Sequence, residues 1–397
     1  MFLIRKQVGD HEVITAEQIN SSVTVKAILA FCWAYYVAIH NIRAVEAKEV
    51  KKAIACYDHH NGCFVYVCAC CKKYTLQSLG CNARICSGCG KRYADAWAMQ
   101  LSRRMFKVPH RHIVLSIASE LWPYLRKDRT LWKTYMDSAI DTLNDYLPKA
   151  MHHKKLTVGA IVILHPFGKD MKFQPHLHLI ITEGCFDEKK NWIARDYFYA
   201  EGLAKCWKYH ICKNLSAAGV PFEVTNWCYK NKRFYVWVHK DGKITHPKLI
   251  ARYLGRYVRH PAIANSRIDW FDKTTLRVGF HYENHNKIRQ NIIMSTDEFI
   301  TALIQHIPEP QFKMIRYYGA YARHTRKSYN MYLQSSIEQK TLLMYGVKKP
   351  EKILFCPYCS GTLDFVIVLK KPPPENIKSQ EELVDWISAN SLSLRER

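Results

Sequence analysis

Two C-x-x-C knuckles, Cys68 to Cys71 and Cys86 to Cys89, lie in a stretch that is dense in cysteine, histidine and glycine and short on helix signals. Such a segment cannot bury enough apolar surface to fold unaided, so something must staple it. Four thiolates closing tetrahedrally on zinc supply that staple, and the spacing nominates Cys68, Cys71, Cys86 and Cys89 as the ligands. Cys81 stands five positions before Cys86, and Cys56, Cys63, His59 and His60 lie upstream. Exchanged ligands or a second site therefore stay open, with Cys81 and Cys56 as the alternatives. A closed four-thiolate site leaves no position for substrate, so this module should dock and position rather than catalyse. Cys356 and Cys359 form a further lone pair that reads equally as a half-site, as a knuckle completed elsewhere, or as packed thiols.

Composition narrows the partner. The chain has 397 residues, 48% of them hydrophobic, and a formal net charge of +25. It is long enough for two or three folded domains, and the charge points to a polyanion. The basic residues are spread along the chain, in groups such as Lys154 and Lys155, Lys230, Lys232 and Arg233, and Arg323, Arg326 and Lys327. Dispersal suits a long nucleic-acid track better than one membrane-facing patch. No stretch reaches the roughly 18 apolar residues that a membrane span requires, and Ala27 to Ile39 lacks the flanks of a signal peptide. A cytoplasmic protein with no membrane partner is expected. Fifteen cysteines in that reducing compartment favour metal binding over disulfides.

Periodicity places the elements. Ile19, Val23, Ala27, Phe31 and Tyr35 recur at i+4 along one face and predict a helical lead-in over 1–55. The zinc module spans 56–106, with a helix from Arg92 to Phe106. Strands follow at His112 to Ile117, Thr157 to Leu164 and His176 to Thr182, with a hairpin near Gly168 and a helix from Arg129 to Tyr146. A helix is expected from Ala194 to Leu215, then a hairpin pairing Phe222 to Tyr229 with Phe234 to His239. Pro247 to Arg259 restores helical spacing. Strands interspersed with helices in this way predict an α+β fold over 107–295 rather than a doubly wound sheet. Ser295 and Glu298 form a capping box opening a helical extension over 296–350, and 351–397 reads as a tail with its C-x-x-C pair.

Within the string Pro175-His176-Leu177-His178-Leu179-Ile180, alternation puts both imidazoles on one face and both leucines on the other. Two buried imidazoles without a partner are costly, so a shared metal ion is the reading that strand parity favours over packing. Gln174, Asp170 and His165 are the candidates for a third ligand, Asp170 offering the oxygen that a hard cation prefers. Tyr253 and Tyr257 share a helix face, and from that spacing alone an aromatic stripe packing the helix on the sheet is favoured over catalysis. Arg252, Arg256 and Arg259 alongside them would hold a phosphate and favour a phenolate nucleophile.

Taken together, these motifs resemble the two-tyrosine HUH transposases of rolling-circle insertion sequences, the family typified by insertion sequence ninety-one. The resemblance runs through Cys81 to Cys89, Pro109 to Pro123, His165 to Asp170 leading into Pro175 to His178, Tyr253-Leu254-Gly255-Arg256-Tyr257, His306-Ile307-Pro308 and Arg316-Tyr317-Tyr318-Gly319. It implies a mainly antiparallel central sheet flanked by helices, with the tyrosine helix laid across it and the zinc module before it. It also implies a Mg²⁺ or Mn²⁺ ion at His176 and His178, and nicking and joining of single-stranded DNA at element ends and target through 5′-phosphotyrosine on Tyr253 and Tyr257. A replication initiator or relaxase using the same chemistry, and a non-catalytic zinc-containing DNA-binding protein, are the competing readings.

Overall fold

The structure, a computed structural model, describes residues 4–8, 11–15, 23–58, 62–102, 104–195, 199–238, 262–284, 286–333, 354–369 and 379–391. Strands β1 (Ile4–Val8) and β2 (His11–Thr15) precede helices α1 (Val25–Ile39) and α2 (Ala44–Ile54). The lead-in is therefore not wholly helical. In α1 the buried side chains are Val25, Ile28, Leu29, Cys32, Trp33 and Tyr36, while Phe31 and Tyr35 face outward. Of the i+4 stripe, Ala27, Phe31 and Tyr35 are thus exposed and Val23 is half-buried, while Ile19 lies outside the described residues. Both stripes have helical spacing, but the buried one runs at i, i+3, i+4, i+7 and i+8, a broader band that covers more apolar surface.

Strands β3 (Cys63–Cys68) and β4 (Tyr74–Ser78) form a hairpin, and helix α3 (Ser87–Ser102) follows. Next come β5 (His110–Ser116), α4 (Trp122–Lys127), α5 (Leu131–Met151), β6 (Gly159–Phe167) and β7 (Phe173–Thr182). A short ribbon, β8 (Gly184–Phe186) with β9 (Trp192–Ala194), leads to α6 (Ala200–Ala217), α7 (Phe222–Asn231) and β10 (Val236–Val238). Helix α7 replaces the strand expected at Phe222 to Tyr229. Its buried residues, Thr225 and Cys228, are three apart, a helical period that the apolar alternation of the segment conceals.

A three-stranded sheet, β11 (Ile268–Asp272), β12 (Arg277–Glu283) and β13 (Arg289–Ser295), runs into α8 (Thr296–Ile304). Helix α8 starts with the expected reciprocal cap, Ser295 Oγ accepting from the Glu298 amide and the Glu298 carboxylate from the Ser295 amide. Strand β14 (Ile315–Gly319) follows, and after it β15 (Leu363–Leu369) and α9 (Gln380–Ser391).

The architecture is α+β, as expected. The central sheet, ordered β10-β5-β7-β6-β14, is antiparallel throughout. One face, with Ile113, Leu115, Val162, Leu164, Leu177 and Leu179, is sealed by α5 and α6 through Tyr135, Leu143, Trp207 and Ile211. On the other face Ile161, Ile163 and Ile180 lie under an aromatic layer of Phe106, Phe186, Tyr321 and Tyr329. His165, His176 and His178 share the face that carries Ile161, Ile163 and Ile180, His178 buried and the other two half-buried. The N-terminal sheet has the order β1-β2-β4-β3-β15, so the segment read as a tail contributes a strand to it.

Candidate metal and nucleic-acid site

The β6–β7 hairpin turns at Gly168, whose amide donates to the Lys172 carbonyl. Its register sets His165 opposite His176 and Ile163 opposite His178. Parity then brings three imidazoles to one face, and one nitrogen from each of His165, His176 and His178 lies within 4.8 Å of the others. His165 Nδ1 is 3.1 Å from His176 Nε2. The other nitrogen of His176, Nδ1, is 2.8 Å from the Gln174 carbonyl oxygen, so it carries the proton and donates, which turns the Nε2 lone pair toward His165. Burial lowers the affinity of His176 for a proton, and that of His178 more strongly, with repulsion from His165, His176 and His112 added. Neutral imidazoles are the form that binds metal.

Among the three candidate third ligands the structure brings His165 to the pair. Asp170 is not in the group: its Oδ1 accepts from the Lys172 amide within the turn. The Gln174 side chain leans over Gly168, where it and Asp170 leave no room for a Cβ.

A fourth histidine was not singled out by spacing. His112 on β5 sets its Nε2 3.0 Å from His178 Nδ1, with the rings stacked at 5.2 Å. Only the β5–β7 pairing makes that contact, although the His110-Arg111-His112 alternation was available as a hint. Beyond His112 lies Trp237 of the edge strand β10, edge-on at 5.6 Å and 48% exposed, with Tyr235 beside it 69% exposed. Tyr253, Tyr257, Arg252, Arg256 and Arg259 lie outside the described residues.

The cysteines regroup. Cys56, Cys81, Cys86 and Cys89 converge, with Sγ separations of 3.6 Å for Cys56–Cys89 and Cys86–Cys56 and 3.7 Å for Cys81–Cys89. Thiolates around one tetrahedral zinc stand about 3.8 Å apart, so this set fits the ion. The expected set of Cys68 and Cys71 with Cys86 and Cys89 is corrected. Cys68 and Cys71 sit at the β3–β4 turn, while Cys86 and Cys89 flank the start of α3, and strand β4 separates the two knuckles. The alternatives Cys81 and Cys56 complete the site instead, and Cys68 and Cys71 meet Cys356 and Cys359.

A thiolate module followed by a sheet presenting clustered histidines is the order in which two family models match this chain. The one described as "Transposase zinc-binding domain" matches residues 28–117, and the one described as "Putative transposase" matches residues 159–328. The chain belongs to the insertion-sequence-ninety-one-like family of transposases with a zinc-binding domain. Among its relatives is the transposase for insertion sequence element IS801 of Pseudomonas savastanoi pv. phaseolicola, 29% identical over 306 residues, 72% of this chain and 73% of the relative. Another, "Putative transposase y4qJ" of Sinorhizobium fredii (strain NBRC 101917 / NGR234), is 22% identical over 305 residues, covering 72% of this chain and 76% of its own length. No solved structure matches the chain significantly. No helix among the described residues is long and apolar enough to cross a membrane.

Proposed function

We propose that this transposase nicks and joins single-stranded DNA, with His165, His176 and His178 holding a divalent cation and Tyr253 and Tyr257 acting as nucleophiles. The observation that carries the reading is the convergence of three imidazoles on one sheet face, with His178 buried and His165 and His176 half-buried. A bound Mn²⁺ or Mg²⁺ would neutralise charge developing on the scissile phosphate. The rest is the work of the chain. The Gln174 carbonyl and His112 orient the ligating rings through His176 Nδ1 and His178 Nδ1. Tyr235 and Trp237 offer stacking faces for unpaired bases beside that cluster, and the exposed Lys230 and Arg233 add positive charge nearby.

In the proposed step the phenolic oxygen of one tyrosine bonds to phosphorus and loses its proton, while the bond to the 3′-oxygen breaks and that oxygen gains a proton. One phosphodiester replaces another, so joining the second end by the reverse step needs no energy source. Arg252, Arg256 and Arg259 would hold the phosphate and favour the phenolate.

The test is incubation with single-stranded oligonucleotides tiled across the DNA flanking the gene, with Mn²⁺, followed by denaturing electrophoresis. A covalent protein–DNA band is expected, absent when both tyrosines are phenylalanine. Its absence for the natural chain across all tiles, or its persistence in the double variant, overturns the reading.

A further inference from the structure

The zinc-binding family match ends at residue 117 and the second match at 328, so neither reaches Cys356 and Cys359. Yet these two meet Cys68 and Cys71 with all four sulfurs within 4.8 Å. Sγ of Cys68 is 3.4 Å from that of Cys359, and Sγ of Cys71 is 3.6 Å from that of Cys356. These separations are far beyond a disulfide's roughly 2.05 Å and near the roughly 3.8 Å between thiolates sharing a tetrahedral zinc.

The two loops are also built alike, although 285 residues separate Cys71 from Cys356. In the first, the Cys68 amide donates to the Lys73 carbonyl and the Lys72 amide to the Cys68 carbonyl, and Lys72 is left-handed at φ 60°. In the second, the Cys356 amide donates to the Gly361 carbonyl and the Ser360 amide to the Cys356 carbonyl, and Ser360 is left-handed at φ 60°. In each, the amide two residues after the first cysteine points at its sulfur, Cys70 to Cys68 at 3.3 Å and Tyr358 to Cys356 at 3.4 Å. Amides aimed at sulfur stabilise a thiolate, the form that binds metal. The loops are tied directly as well: the Ala69 amide donates to the Thr362 carbonyl, and Lys73 Nζ lies 4.5 Å over the Tyr358 ring. At Gly361 a Cβ would fall 2.8 Å from the Cys70 Cβ and 3.1 Å from Cys68 Sγ, so the loops close only with glycine there.

We propose that Cys68, Cys71, Cys356 and Cys359 form a second structural zinc centre, distinct from Cys56, Cys81, Cys86 and Cys89, that clamps the C-terminal segment onto the N-terminal module. The clamp stands at one end of the β3–β15 pairing, and the strands and α9 share a core of Cys63, Val65, Leu76, Leu369, Leu383 and Ile387. A core of that size is small for a free-standing unit, which is the situation in which metal staples are used. The inference is independent of the cleavage chemistry.

Zinc per chain, measured by elemental mass spectrometry on the full chain, tests it. The C356S/C359S variant is expected to carry one zinc fewer than the natural protein; equal content overturns the proposal. Should that variant fail to fold, alkylation of the natural protein decides. The exposed Cys359 thiol is expected to resist iodoacetamide until a chelator is added. Alkylation of Cys356 and Cys359 at the same rate with and without chelator overturns the proposal.

Discussion

At Gly319 the backbone takes φ 56°, and a Cβ would run into the Val158 carbonyl oxygen where β14 meets β6. Gly319→Ala therefore combines strain with a clash against backbone that cannot give way, and is expected to cost about 2–4 kcal/mol in urea unfolding. The ligand residues separate on the same kind of local fact. His165→Ala is expected to abolish cation-dependent cleavage, and Asp170→Ala to retain it, because only the imidazole shares the face of His176 and His178. A nitrogen donor set also suits Mg²⁺ poorly, an ion that prefers oxygen and sheds water reluctantly. Mn²⁺ should support cleavage at lower concentration than Mg²⁺ in titrations of the two ions; the opposite order would argue for Asp170. Strand parity alone made His176 and His178 legible. His165 needed the hairpin register, with its irregularity between His165 and Phe167, which no local pattern encodes.

Among the elements, β10 is three residues long and easily overlooked, yet it sets Trp237 against His112 at the sheet edge. Trp237→Ala is expected to weaken binding of a single-stranded oligonucleotide by about 1–3 kcal/mol, read by fluorescence anisotropy, with double-stranded binding little changed. An equal loss for both forms would assign Trp237 to packing. Helices and strands with strong periodicity were legible: β5, β6, β7, α5 and the Ser295 cap stand close to where spacing put them. Helix α7 was not. Its apolar residues alternate like a strand, and what makes it a helix is the packing of Val224 and Cys228, one turn apart, into a core of residues distant in sequence. The sheet of β11, β12 and β13 also escaped the sequence reading, because Ile293 and Trp270 stay exposed and blur the alternation.

For the whole molecule, the cysteine pairing shows where sequence reading stops. Spacing revealed that knuckles exist, but partner choice depends on β15 crossing to β3, a contact between the two ends of the chain. Two other long-range contacts hold histidines out of water, His110 fully buried and His306 half-buried. His110 lies under the aromatic layer with Nε2 2.7 Å from the Tyr321 hydroxyl, and His306 stacks on Phe167 at 3.8 Å with Nδ1 donating to the Ala302 carbonyl. Burial pushes each from the ordinary 6.5 down to about 3. Both are therefore neutral when folded, whereas the unfolded chain takes up their protons below about 6.5. Their contribution to stability is complete above that pH and is lost progressively as pH falls toward 3. Between pH 7.5 and 5.5 each should cost about 1.4 kcal/mol by this linkage. Acid also protonates zinc-bound thiolates, so the natural protein alone cannot isolate the histidines. His306→Phe can, since it keeps the stacking and removes one titrating group while leaving every cysteine in place. Urea midpoints at the two pH values should show the variant losing about 1.4 kcal/mol less than the natural chain, whatever its stability at pH 7.5. An identical loss in both would mean that His306 is reached by protons in the folded state.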